Sequence, residues 1–217
     1  VSSVGKLLGL TYVPEQQIGA WHQHDTDGTF ESCAVVAEGS EDVLYCIVRR
    51  TINGSSKRYV ERMASRQFVD AEDAFFVDSG LTYSGPAVTT ISGLGHLEGK
   101  TVSILADGAV RPQRVVTSGS VDLDNEASVV HVGLPITADL QTLPVAMAID
   151  NGFGQGRFKN VNKAWLRVFR SSGIFVGPDS DKLTEAKQRT TEPYGSPPAL
   201  KSEEIQVMLT PSWADSG

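Results

Sequence analysis

Four side chains between residues 22 and 27 have the types and spacing that a metal site needs. His22 and His24 stand two residues apart, and Asp25 and Asp27 follow at a turn. Residues i and i+2 of a strand point to the same face, so both imidazoles could reach one transition metal, with carboxylates nearby. The alternative is a polar strand end that enters an Asp-Gly turn. We prefer this alternative and expect neither a metal nor another cofactor.

Two further groups contain residue types that hydrolases use. His96 and Glu98 could act as acid and base, but only within a pocket. Asp78 and Ser79, with His96 or His131, supply the types of a hydrolase triad, although no Gly-x-Ser-x-Gly elbow accompanies them. Types without geometry do not make a triad, so we predict that the protein is not an enzyme. His96 is expected to pack or hydrogen-bond at a strand entrance, and His131 to be a satisfied core or interface histidine.

A glycine-rich passage at residues 152–156 lacks the Gly-Lys-Ser/Thr ending of a phosphate-binding loop, which favours a flexible connection. Basic residues follow it, and several would share a face at strand or helix spacing. Such a face is either solvated or binds an acidic surface of a neighbouring subunit. The interface candidates are Arg157, Lys159, Lys163, Arg167 and Arg170.

The elements that position these residues are predicted to be short antiparallel strands. Runs rich in apolar and β-branched residues predict strands at 7–13, 18–24, 29–37, 42–50, 57–63 and 205–209. A long strand is predicted over 159–170, and a loop without its own core over 177–204. Asn53-Gly54 predicts a tight hairpin turn, as do Asp107-Gly108 and Ser118-Gly119 within the central stretch 92–135. That stretch predicts a small closed or nearly closed β-barrel, entered by an extended arm over 77–86.

The fold class predicted is therefore all-β with little helix. We expect an antiparallel β-meander resembling a propeller blade over 1–66 and a small β-barrel with its entering arm over 67–145. Returning strands and a long loop over 146–217 are expected to pack back on the first region.

The net charge and the apolar content of the chain limit the functions that it can have. The chain has 217 residues and a net charge of −7, which argues against a nucleic-acid-binding surface. No apolar run approaches the roughly 20 residues that span a bilayer.

A four-residue turn between Cys33 and Cys46 would place the two sulfurs opposite each other in a hairpin. We expect two buried free thiols, with a disulfide as the alternative.

A series of short segments extends from about residue 7 to 215. They lie at residues 12–17 (Tyr-Val-Pro-Glu-Gln-Gln), 21–24 (Trp-His-Gln-His), 27–28, 30–32, 76–83 (Phe-Val-Asp-Ser-Gly-Leu-Thr-Tyr), 91–94, 96–99 (His-Leu-Glu-Gly), 106–108, 132–135 (Val-Gly-Leu-Pro), 140–144, 155–156 and 159–167. In number and order these segments resemble the tail nozzle family of short-tailed bacteriophages, also called tail tubular protein B or tail stabilisation proteins.

The resemblance implies a non-catalytic virion protein, made in the host cytoplasm and built into the phage tail. Its subunits would form a ring, of six in the full-length protein, that contacts the tail adaptor and other tail proteins. DNA would pass through without specific binding, past a lumen that we expect to be acidic. Family members are longer and carry β-propeller-like domains, so this chain is expected to be a C-terminal portion.

The alternative is a carbohydrate- or receptor-binding β module of a phage tail, which exposed aromatics on one face would favour. A cell-wall hydrolase ranks third.

Overall fold

The structure, a computed structural model, describes residues 1–65, 67–142, 148–149, 152–153, 159–189, 191–193, 195–210 and 213–214. Within these residues it is built of antiparallel strands, and the helical elements are short 3₁₀ turns at Pro14–Gln16, Ala71–Asp73 and Gly95–Leu97. The all-β class is thus confirmed. No helix in the described ranges is long and apolar enough to cross a membrane.

The chain forms two compact units, Val1–Ile136 and Thr137–Gly217. The three-part division at residues 66 and 145, and the packing of 146–217 on the first region, remain predictions.

The first unit begins with five strands in two separate sheets. They are β1 (Leu7–Val13) and β2 (Ile18–His24), which pair with each other, and β3 (Thr29–Glu38), β4 (Glu41–Ile52) and β5 (Ser55–Arg62), which form a three-stranded sheet in that order. All five lie close to their predicted positions. Asn53 and Gly54 have φ of 46° and 74°, which is the left-handed pair that a tight hairpin needs, so the predicted turn is confirmed.

Cys33 and Cys46 lie directly opposite each other in the β3–β4 ladder, as predicted. Both are free thiols, and Cys46 is buried. Cys33 is exposed, which corrects the expectation that both would be buried, because β3 is an edge strand with no sheet neighbour beyond it. Burial raises the pKa of the Cys46 thiol, and the nearby Cys33 adds to this effect.

We therefore expect a water-soluble maleimide to label Cys33 in the native protein and Cys46 only after unfolding. Burial limits access to Cys46, and its raised pKa lowers its content of thiolate, which is the reactive form. Mass spectrometry of tryptic peptides, with and without urea, measures the two sites separately. Equal labelling rates in the native protein would contradict the burial of Cys46.

A four-stranded sheet completes the first unit. Its strands are β6 (Asp78–Ser92), β7 (Thr101–Ala106), β8 (Ala109–Val115) and β9 (Ser120–Leu134), in the order β6-β9-β7-β8. The predicted turns at Asp107-Gly108 and Ser118-Gly119 are confirmed, each with two positive φ values. The predicted arm over 77–86 is instead largely part of β6, paired with β9.

The sheet is open, so the barrel prediction is corrected. Closure would require β6 to pair with β8, and these two strands form the opposite edges of the sheet. Each edge contains a proline, Pro86 in β6 and Pro112 in β8, and proline cannot donate to a ladder. The β6–β9 register also shifts around Pro86. The open sheet still has a well-formed core, in which Leu94, Leu97 and Val130 are fully buried.

The second unit is built of short strand pairs. The pairs are β10 (Ala148–Ile149) with β11 (Gly152–Phe153), β12 (Lys159–Asn160) with β17 (Trp213–Ala214), β13 (Lys163–Arg167) with β16 (Glu204–Met208), and β14 (Phe175–Val176) with β15 (Thr184–Glu185). The predicted strand over 159–170 is thus two strands, β12 and β13. The segment 177–204 was predicted to lack a core, but its Ala186 is buried with Val207 and Leu209.

Candidate functional site

The first unit contains an arginine whose side chain is completely buried, Arg50 on β4. Its Nε and Nη2 donate to the two carboxylate oxygens of Glu61, each at 2.7 Å. Nη2 also donates to Asp78 Oδ1 at 3.1 Å, and Nη1 donates to the Asp27 carbonyl oxygen at 2.9 Å. One guanidinium therefore connects β4, β5, the start of β6 and the loop before β3.

The environment of Arg50 keeps it charged. Burial by itself lowers the pKa of this guanidinium, but the Glu61 hydrogen bonds and the nearby Asp78 outweigh burial and raise the pKa above its ordinary value. A buried charge is tolerated when it is paired and hydrogen-bonded. Arg50 meets this condition with two carboxylates and one carbonyl.

Arg50 is not among the residues that stand out in the sequence by type and spacing, although a local signal is present. Along β4 the side chains of Cys46, Val48, Arg50 and Ile52 alternate with exposed ones and all four are buried. An arginine at a core position of an alternating strand predicts a buried ion pair. Its acidic partners, 11 and 28 residues away along the chain, have no such signal.

Asp78 and Ser79, two residues of the hypothetical triad, belong to the same cluster. Asp78 Oδ2 accepts a hydrogen bond from Thr26 Oγ1 at 2.5 Å, in addition to the bond from Arg50. Ser79 has a positive φ of 49° and its hydroxyl donates to Glu61 Oε1 at 3.3 Å. The carboxylate of Asp78 is therefore bound to cationic and hydroxyl donors.

His96 also reaches this cluster, through a backbone carbonyl. Its Nε2 lies 2.9 Å from the carbonyl oxygen of Ser79. Because a carbonyl only accepts, Nε2 carries the hydrogen and donates it to the backbone. The structure thus brings Asp78, Ser79 and His96 together, but the serine hydroxyl donates to Glu61 and the imidazole binds the serine carbonyl. We call Arg50, Glu61, Asp78, Ser79 and His96 the Arg50 cluster.

Glu98 does not meet His96 as an acid–base partner. Its two carboxylate oxygens accept the backbone N–H groups of Ser118 and Gly119, at 2.9 and 2.7 Å. These are the residues of a tight turn, so Glu98 holds the connection between β8 and β9.

His131 is the satisfied core histidine that the sequence predicts. It is buried on β9, and its Nε2 donates to the Glu72 carbonyl oxygen at 2.8 Å. Its Nδ1 lies 2.8 Å from the Thr82 hydroxyl. Both ring nitrogens therefore have protein partners.

The four residues considered as metal ligands are not assembled into a site. The rings of His22 and His24 are edge to face, with centroids 5.1 Å apart. Asp25 pairs with Lys6 at 3.2 Å, and Asp27 with Lys100 at 2.6 Å. Among the described residues no group of three or more histidine, cysteine or acidic side chains could hold a metal ion.

A groove of about 1060 Å³ lies beside the Arg50 cluster. Leu7, Phe30 and Leu44 contribute apolar surface to it, and Glu61 and Asp78 contribute carboxylates. Both carboxylates are bound to Arg50. Their role in the structure is therefore to join β5 and β6 to Arg50 on β4.

Apolar side chains cover one face of the β1–β2 pair. Leu10 lies opposite Trp21 in the ladder, and Leu8 and Tyr12 share their face because they are two residues away from Leu10. Trp21 is 74% exposed and Tyr12 68% exposed. We call these four residues the ribbon face.

The predicted basic face is brought together in part. Lys163 and Arg167 lie on the same face of β13 as Trp165, and all three are exposed. Arg167 pairs with Glu204 at 3.6 Å, while the Arg170 backbone N–H donates to Ser202 Oγ at 2.9 Å beyond the strand. Arg157, the side chain of Lys159 and most of the glycine-rich passage lie outside the described residues.

These features define an all-β protein whose reactive side-chain types hold strands and turns together, and whose apolar strand surfaces are exposed. A scan against protein-family models and a search of curated protein sequences returned no match to this chain.

Proposed function

We propose that this chain is a non-catalytic structural subunit of a phage tail, part of the nozzle ring that continues the DNA conduit of a short-tailed phage. The observation that carries the proposal is the exposure of β1, β2 and β3. Every residue of β2 is exposed, and so is the ribbon face. A two-stranded ribbon is marginally stable alone, and a contiguous exposed apolar face marks a protein–protein contact.

The hydrogen bonds made by the acidic and histidine side chains considered above support a structural role. Asp78 binds Arg50, Glu98 holds a turn, and His96 and His131 donate to backbone carbonyls. Each of these contacts fixes one element to another.

The charge of the chain supports passive transport of DNA. A net charge of −7 repels phosphates, whereas a basic lining would retain the DNA during ejection. The proposal therefore includes an acidic lumen, and a positive potential on the channel face of the assembled ring would overturn that part of it.

Mass photometry and electron microscopy of the purified protein, with and without the tail adaptor, test the proposal. We expect a closed ring with a central hole, formed either alone or on the adaptor as a template. A protein that remains monomeric in both conditions would overturn the proposal.

A second candidate, a carbohydrate-binding module, is favoured by one observation: Tyr12 and Trp21 lie exposed on the same ribbon face. Aromatic faces of this kind stack on sugars, although the neighbouring Leu8 and Leu10 offer no hydrogen bonds. Glycan-array binding that disappears in Trp21→Ala would support this candidate over the ring.

A further inference from the structure

One edge of the three-stranded sheet lacks the features that prevent strand pairing. Strand β3 is paired on one side, with β4, and residues 31–37 are all exposed. Residues 32–37 (Ser-Cys-Ala-Val-Val-Ala) carry no charge, no glycine and no proline. An exposed edge of this kind is a template for another strand. We call residues 32–37 the β3 edge.

Two other edges of the first unit are protected. The outer strand β5 has Lys57, Arg58, Glu61 and Arg62 among its eight residues. The outer strand β8 contains Arg111, Arg114 and Pro112. Charges and proline on an edge oppose the addition of a strand, so β5 and β8 are protected where the β3 edge is not.

The acidic residues that bracket the β3 edge are held by arginines of the same sheet. Arg58 Nε donates to Glu31 at 2.6 Å, and Arg62 donates to Glu38 at 2.9 Å. The hydrogen bond with Arg58 lowers the pKa of Glu31, and hydrogen bonds with Tyr45 and then Arg62 lower the pKa of Glu38. Both carboxylates are thus already paired within the sheet, and neither opposes an uncharged incoming strand.

We propose that the β3 edge accepts a strand from a second copy of this chain; the inference rests on the proposed function and locates one contact of the ring. The absence of charge on the β3 edge favours an uncharged occupant. Residues 32–37 offer no salt-bridge partner, so an uncharged strand of about six residues matches this edge best. This chain offers such a strand: all seven residues of β1 are uncharged and none is a proline, and β1 lies at a sheet edge.

Hydrogen exchange of the full chain tests the contact directly. When the protein assembles, we expect the outward amides of residues 32–37 to exchange about tenfold or more slowly than in the dilute monomer, because new backbone hydrogen bonds protect them. Peptides covering β5 serve as an internal reference and should exchange at the same rate in both states.

A substitution that places a charge on the β3 edge tests the proposed contact independently. Val35→Lys should weaken self-association roughly a hundredfold, since an unpaired ammonium would be buried against the added strand. Val60→Lys is the matched control, because both valines lie in the same sheet and both are exposed. Val60 is 73% exposed and Val35 is 63% exposed. Both variants should keep the circular dichroism spectrum of the wild type.

The outcomes separate the two proposals. Protection of residues 32–37, together with an assembly defect confined to Val35→Lys, supports the inference. A ring in which residues 32–37 exchange rapidly, or in which Val35→Lys assembles normally, overturns the inference and leaves the proposed function standing. A protein that stays monomeric with and without the adaptor overturns both.

Discussion

Replacing Arg50 by alanine is expected to destabilise the first unit by about 3 kcal/mol, because removing one partner of a buried ion pair leaves the other charges uncompensated. The carboxylates of Glu61 and Asp78 would then lose three hydrogen bonds from the guanidinium. Their side chains are 20% and 21% exposed, so water relieves part of the cost. We therefore place the effect at the lower end of the range measured for such pairs.

Urea unfolding followed by circular dichroism, with hydrogen exchange of β4 and β5 peptides to assign the transition, measures this loss. Arg58→Ala is the matched control: Arg58 also binds a glutamate through two nitrogens, but its side chain is 67% exposed. The control should shift the unfolding midpoint little, because solvent screens exposed pairs. Equal shifts for Arg50→Ala and Arg58→Ala would show that the Arg50 cluster is not a structural centre.

Replacing Gly133 by alanine is expected to destabilise the same unit by roughly 1–3 kcal/mol, the cost of overpacking a close contact. A Cβ at this position would lie 2.7 Å from the Asp78 carbonyl oxygen, 2.8 Å from Gly80 Cα and 2.8 Å from Val77 Cβ. These are backbone atoms and a β-branched side chain, which cannot rotate away. The start of β6 would have to move, and Asp78 with it.

Gly95→Ala is the control for this change, since a Cβ at Gly95 meets nothing within 4 Å and its φ is not positive. The same urea experiment compares the two variants. We expect Gly95→Ala to leave the unfolding midpoint nearly unchanged. If Gly133→Ala were equally neutral, the close approach of β9 to the start of β6 would be contradicted.

Arg50→Ala and Gly133→Ala both test how the start of β6 is held in the first unit. The Arg50 cluster ties β4 and β5 to the start of β6, and Gly133 lets β9 approach that same point. If the protein is a ring subunit, this rigid connection would keep the exposed surfaces of β1, β2 and β3 in a fixed arrangement for assembly. Loss of Arg50 should then impair assembly through the fold rather than through a contact.

The local structure of this protein follows from short stretches of its sequence. Strands β1 to β5 and the turns at residues 53–54, 107–108 and 118–119 follow from apolar content, period-two alternation and pairs of residues that tolerate positive φ. These are properties of a few consecutive residues. The opposition of Cys33 and Cys46 follows in the same way, because the length of a hairpin turn fixes the register of its strands.

The closure of the sheet and the partners of the polar side chains depend on contacts between distant segments, which no short stretch of sequence specifies. The sheet of β6 to β9 is open rather than closed because closure requires two particular edges to meet, and each edge contains a proline. The partners of Arg50 lie 11 and 28 residues away. Asp78 on β6 and His96 in a 3₁₀ turn are both bound by groups of other elements. Residue types alone suggested a triad and an acid–base pair there, whereas the folded chain uses the same groups to join strands and turns.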